Sequence, residues 1–142
     1  MASRSDMDLR YALIVTRTVE AATTVTVGAV VKDGDADHEV QPTTDGVGAI
    51  GVIVALGGND GLGTAGKKVQ MAYLAGACII PVKVGTGGAT RGKFAKVVAD
   101  GVTDATQTVT TPLACEVVGY FTQSGVAGDI VGMVPAKSWL TE

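Results

Sequence analysis

Gly63-Thr64-Ala65-Gly66-Lys67-Lys68-Val69-Gln70-Met71 returns 62 positions later as Gly125-Val126-Ala127-Gly128-Asp129-Ile130-Val131-Gly132-Met133. The shared residues are the two glycines, the alanine between them, and the valine and methionine that follow at alternate positions. Around both copies the order is the same: a short apolar run (50–56 and 117–121), a glycine-bearing turn, then an alternating segment (67–74 and 129–134). Alternation with period two predicts strands, and a turn between two such runs predicts a hairpin. A supersecondary unit repeated at a fixed offset is a sign of architecture, not of an active site.

The rest of the chain has the same texture. Its 142 residues fit one domain, long enough to bury a core without staples. Twenty glycines and four prolines stand beside abundant Val, Thr and Ala, which favours short strands and turns over helices. The reading is therefore all-β: residues 1–8 form a flexible N-terminal arm, and residues 9–142 form a single compact β domain. Strands are expected at 9–19, 23–31, 40–44, 78–84 and 93–99 besides the two hairpins, about nine in all, with a turn at 32–39 and a surface loop at 103–111.

Charge and composition exclude several classes. The net charge of -3 comes from scattered acids and bases with no basic stripe, which gives no footprint for nucleic acid. No apolar run approaches the roughly 20 residues that a membrane-spanning helix needs, and residues 1–8 carry no secretory apolar core, so synthesis in a cytoplasm is expected. Cys78 and Cys115 form no CxxC pair and fall in apolar stretches, which reads as two reduced, buried thiols.

Three motifs resemble sites and fail on their chemistry. The stretch Gly61 to Lys68 nearly satisfies a phosphate-binding loop, but Lys68 stands where a hydroxyl must hold magnesium, and an alternating strand follows where a helix is required. Asp33, Asp35, Asp37 and Glu39 resemble the opening of a calcium loop, but the obligatory glycine and distal glutamate are His38 and Thr44. His38 is the only histidine and has no nucleophile elbow to serve. No catalytic residue, cofactor or metal is expected, and the chain does not read as an enzyme.

Taken in order, Gly51 to Val54, Ala65 to Met71, Cys78 to Val84 and Gly125 to Val131 resemble the capsid decoration, or cement, proteins of tailed bacteriophages, over roughly residues 45–135. The resemblance implies a β-barrel or β-tulip-like domain. It also implies a homotrimer that binds the major capsid protein on the outer surface of the expanded head and stabilises the virion against DNA pressure. Within that picture Arg4, Leu9, Arg10 and Tyr11 are the expected capsid contacts, because an arm can order by adding a strand to a sheet edge. Trp139 and Leu140, apolar residues in a chain end, are the expected trimer contacts. The alternatives are another virion structural protein, such as a tail-tube component or head-fibre base, and a small-ligand-binding barrel.

Overall fold

Val69 and Met71 are fully buried while Lys68 and Gln70 between them are exposed, the period-two pattern that the repeated motif foretells. The computed structural model describes residues 7–57, 63–105 and 115–140, excepting the side chains of Cys115, Glu116 and residues 137–140. The described residues form ten strands and no helix. They are β1 (Ile14–Val19), β2 (Val30–Asp33), β3 (Glu39–Pro42), β4 (Ala49–Leu56), β5 (Lys68–Tyr73), β6 (Ile80–Lys83), β7 (Phe94–Val98), β8 (Gly101–Asp104), β9 (Cys115–Phe121) and β10 (Ile130–Leu140). The first five close a barrel in the order β1-β3-β2-β4-β5, and the last five form a sheet in the order β6-β10-β9-β7-β8.

Both expected hairpins are present, β4 with β5 and β9 with β10, each antiparallel. The duplication goes further than these hairpins. β1 pairs antiparallel with β5 as β6 does with β10; β2 pairs with β3 and β4 as β7 does with β8 and β9. Individual backbone bonds repeat as well. The Gly66 N–H donates to Val19 O at 2.8 Å and the Val19 N–H to Lys67 O at 2.9 Å; the Gly128 N–H donates to Val84 O and the Val84 N–H to Asp129 O, both at 2.8 Å. The Gly28 N–H donates to Ile53 O and the Ile53 N–H to Ala29 O, just as the Gly92 N–H donates to Phe121 O and the Phe121 N–H to Lys93 O. Even the register shift in β2 beside Val31 recurs in β7 beside Ala95. The chain is thus two five-stranded units of one topology.

The two units differ in one bond at the point where only the first closes as a ladder. In the barrel β1 runs parallel to β3, and the Thr18 N–H donates to His38 O at 2.8 Å. In the second unit the corresponding Lys83 N–H donates instead to Gly28 O of the first unit, at 3.0 Å. The edges β6 and β8 then meet only at a parallel bridge between Val84 and Val102.

The interiors correspond residue for residue. Val19, Val25, Val31, Val40, Ile53, Val69 and Met71 fill the barrel at 0–2% exposure, so it is a packed core. Their counterparts are Val84, Ala89, Ala95, Val102, Phe121, Val131 and Met133. Where Phe121 replaces Ile53, Ala89 and Ala95 replace two valines, which returns the added volume. The second cluster also takes in Val30, Val52, Ala72 and Leu74, so the outer face of β2, β4 and β5 is buried in one core with the second unit.

Gly66 and Gly128 turn the chain into β5 and β10 with φ of 80° and 96°, a region that L side chains enter at a cost of about 1–2 kcal/mol. A Cβ at either would meet nothing within 4 Å. Gly66→Ala and Gly128→Ala should therefore each lose about 1–2 kcal/mol through backbone strain alone, measured by urea denaturation, with Asn milder than Ala because it tolerates this region.

Several expected boundaries move. The first strand begins at Ile14, not residue 9, and the expected strand at 23–31 is a turn until Val30, with Thr24 making only an isolated bridge to Thr64. Gly28, at φ 91°, ends that extended stretch and lets Lys83 approach. Part of the expected loop at 103–111 is strand, because Val102 and Thr103 are buried in β8; residues 106–111 lie outside the described residues.

Candidate interaction surface

Ile80, Met133, Phe121 and Ala95 point into the second unit and are fully buried, so strand alternation turns their neighbours Ile79, Val134, Tyr120 and Phe94 outward. These four stand in one row across β6, β10, β9 and β7. Phe94 is opposite Tyr120, Tyr120 is opposite Val134, and Ile79 adjoins Val134 one step beyond the Ile80–Met133 pair. Phe94 is 49% exposed and Tyr120 40%. An aromatic pair opposed across two strands supplies a rigid apolar contact surface.

At the Ile79 end the row meets the N-terminal segment. Asp8 exchanges two backbone bonds with Ile79, both 2.9 Å, which adds the segment to the edge of β6. Asp8, Cys78, Ile79 and Val134 line a cleft of about 300 Å³ there. The Asp8 carboxylate accepts from Arg10 Nε at 3.0 Å and Nη2 at 2.7 Å, and this hydrogen-bonded guanidinium holds its pKa down to about 2. Because the folded value is depressed, the pair's small stabilising effect is present above the ordinary carboxylate range and is lost as pH falls towards about 2. Arg10→Ala should return the Asp8 titration, followed by carboxyl NMR, towards the ordinary value of 3.8.

The expected contact residues are placed unequally. Arg4 lies outside the described residues. Leu9 is half-buried and packs, with Ala12, against the shared core, so its side chain serves this domain first. Arg10 is exposed and engaged with Asp8, while Tyr11 is 70% exposed and stands near Leu13 at 60%. Asp8, the last residue of the expected arm, is held at the sheet edge. Trp139 and Leu140 are in β10, opposite Glu116 and Cys115, with their side chains outside the described residues.

Neither Phe94 nor Tyr120 stands out from the sequence. The available signal is alternation: Gly119 and Phe121 facing in place Tyr120 facing out. Two matched clamps hold the connections next to this row. The Asp100 carboxylate accepts from the Thr86 N–H and hydroxyl at 2.9 and 2.7 Å, and Asp104 accepts from the same groups of Thr90 at 2.8 and 2.6 Å. These bonds tie the segment between β6 and β7 to the β7–β8 turn and to the end of β8, and the Thr86 hydroxyl lowers the Asp100 pKa.

The remaining sequence candidates are ordinary structural positions. Lys68 begins a strand and no helix follows it. His38 is exposed at φ 67° in the turn before β3, and Asp35 of the acidic stretch donates its N–H to Glu20 Oε1 at 2.6 Å. Among the described residues no group of three or more His, Cys, Asp or Glu is placed to hold a metal ion. Cys78 is a buried free thiol whose pKa is raised by burial, and the Cys115 side chain lies outside the described residues. No helix among the described residues is long and apolar enough to cross a membrane. Neither a protein-family model nor a curated protein matches the chain.

Proposed function

We propose that this chain is a capsid decoration protein, a trimeric cement that binds the major capsid protein on the outer surface of an expanded phage head. The observation that carries the reading is exposed apolar surface on a packed β scaffold: the Phe94–Tyr120 pair projects from strands whose inner faces are buried, and Tyr11 and Leu13 are exposed in the segment before β1. A large exposed apolar patch on a small domain marks a protein partner. The polar and apolar groups of this surface form binding chemistry, with aromatic anchors and an edge strand already partly engaged by Asp8.

Such a protein acts by linkage. Whatever binds the expanded shell and not its opened form stabilises the shell, and a clamp that engages several subunits multiplies modest contacts into a large effective affinity. The N-terminal segment, with Arg10 and Tyr11 exposed beside the sheet edge, is the leading capsid contact. Expanded shells incubated with the protein should disrupt at a higher temperature than bare shells. Tyr11→Ala should reduce the gain without changing the protein's own melting temperature. An unchanged shell melting temperature at saturating protein would contradict the reading.

A further inference from the structure

The outer edges of β1 and β6 correspond, and the chain finishes them differently. β1 pairs with β5 along Ile14–Thr18, but with β3 only at Thr18 and Val19. The Val19 N–H donates to Lys67 O and Leu13 O accepts from the Tyr73 N–H, so the odd-numbered residues of β1 bond towards β5. The even-numbered ones point the other way. Of these, the Thr18 N–H donates to His38 O and the Glu20 N–H to Val40 O, whereas the N–H groups of Ile14 and Thr16 meet no partner among the described residues. Thr16 O accepts only from the side chain next to it, Arg17 Nη1 at 3.2 Å. Ile14 is 38% exposed, and Thr16 is exposed too. In the second unit the matching positions are Ile79, Pro81 and Lys83, and each is closed. Ile79 exchanges two bonds with Asp8, Pro81 has no N–H to offer, and the Lys83 N–H donates to Gly28 O. An edge proline and a covering segment are common means of blocking strand addition. The first unit carries neither over Ile14–Thr16.

We infer that the open edge of β1 receives an extended segment of the capsid subunit, which bonds to the backbone of Ile14 and Thr16 and lays apolar side chains beside Leu13 and Ile14. The chain holds its own example of the contact, because Asp8 occupies the equivalent edge at Ile79 in the same way. In such strand addition the main-chain bonds supply affinity and the flanking side chains supply selectivity. Leu13, 60% exposed, and Ile14 project to opposite faces of the strand, so the added segment meets an apolar neighbour on each. The barrel here accepts a strand, whereas the N-terminal arm was expected to give one. The inference rests on the decoration reading and names the element of the partner that it engages.

Thr16→Pro carries the second unit's own block into the first. It removes the N–H that an added strand needs, breaks no bond to β5, and stands where the same topology accepts Pro81. Thr16→Val keeps the N–H and the strand preference. Both variants should keep the wild-type circular dichroism spectrum. In co-sedimentation with expanded shells, Thr16→Pro should bind at least about tenfold more weakly, the scale of a hot-spot loss, and Thr16→Val as well as wild type. Hydrogen exchange of the wild type gives a second readout that needs no variant to fold: the amides of Ile14 and Thr16 should exchange fast in the free protein and slowly on shells. Wild-type binding by Thr16→Pro, or edge amides that stay fast on shells, overturns the inference and leaves the decoration reading standing. Equal losses in both variants would assign the effect to the threonine side chain and overturn it as well. Amides already slow in the free protein would mean that the chain covers this edge itself, with the same consequence. A wild type that ignores shells contradicts both the inference and the reading it rests on.

Discussion

Phe121→Ala should destabilise the protein by about 3–5 kcal/mol, the usual cost of emptying an aromatic site in a packed core. Phe121 is fully buried and is the largest of the completely enclosed side chains among the described residues. Its ring occupies the place that Ile53 holds in the barrel, and space for it comes from Ala89 and Ala95 standing where the barrel has Val25 and Val31. A domain of this size has about 5–15 kcal/mol in total, so the variant should unfold at much lower urea and do so in one transition, because the cluster around Phe121 includes residues of both units. The correspondence makes a sharper expectation. Phe121→Ile alone leaves a cavity, and adding Ala89→Val and Ala95→Val, which recreates the barrel's own set, should recover part of the loss. A triple variant less stable than the single one, in the same urea titration, would show that the two interiors are not interchangeable.

Gly119→Ala should cost about 2–3 kcal/mol, at the upper end for overpacking, and Gly51→Ala about the same. These glycines are counterparts, each lying against a methionine of the repeated motif. A Cβ on Gly51 would sit 2.6 Å from Ala72 O and 2.6 Å from Met71 Cγ; on Gly119 it would collide with Val134 O and lie 2.8 Å from Met133 Cγ. A methionine can change rotamer, but a carbonyl paired in the ladder cannot retreat without breaking its strand. In a Met133→Ala background, with that variant's own cavity cost taken as the reference, Gly119→Ala should therefore regain only part of its loss. Full recovery would mean that the side chain, not the carbonyl, sets the requirement. The GxAGxxVxM motif thus has two structural jobs: its second glycine turns the chain at positive φ, and its methionine packs on a glycine of the neighbouring strand.

How far the sequence discloses this fold depends on loop lengths. β5 and β10 keep an offset of 62, so their motif is visible by inspection, and the hairpins follow from it. The other corresponding pairs are displaced differently: Val19 and Val84 by 65, Val30 and Phe94 by 64, Ile53 and Phe121 by 68. Unequal connections hide a whole duplicated unit behind a single repeated hairpin. The Thr24–Val27 alternation has strand chemistry but no continuous partner, and the bond between the Val25 N–H and Gly63 O, at 2.8 Å, fixes it as a crossing turn. Tertiary pairing decides such a segment, not propensity. For the surface, composition shows that aromatics are few but not which way they face. A valine row buried in one unit and an aromatic row exposed in the other differ only through register, and register is set by pairings remote in sequence. Tyr11 and Leu9 read alike as contacts, but Tyr11 is 70% exposed whereas Leu9 is half-buried against the core.

The decoration reading is tested most directly by electron cryomicroscopy of expanded shells incubated with the purified protein. The account predicts added density on the outer surface at three-fold or quasi-three-fold positions, built of trimers, with the edge that carries Asp8 and Tyr11 towards the shell. Bare shells beside free protein, or protein polymerised into tubes, would contradict it.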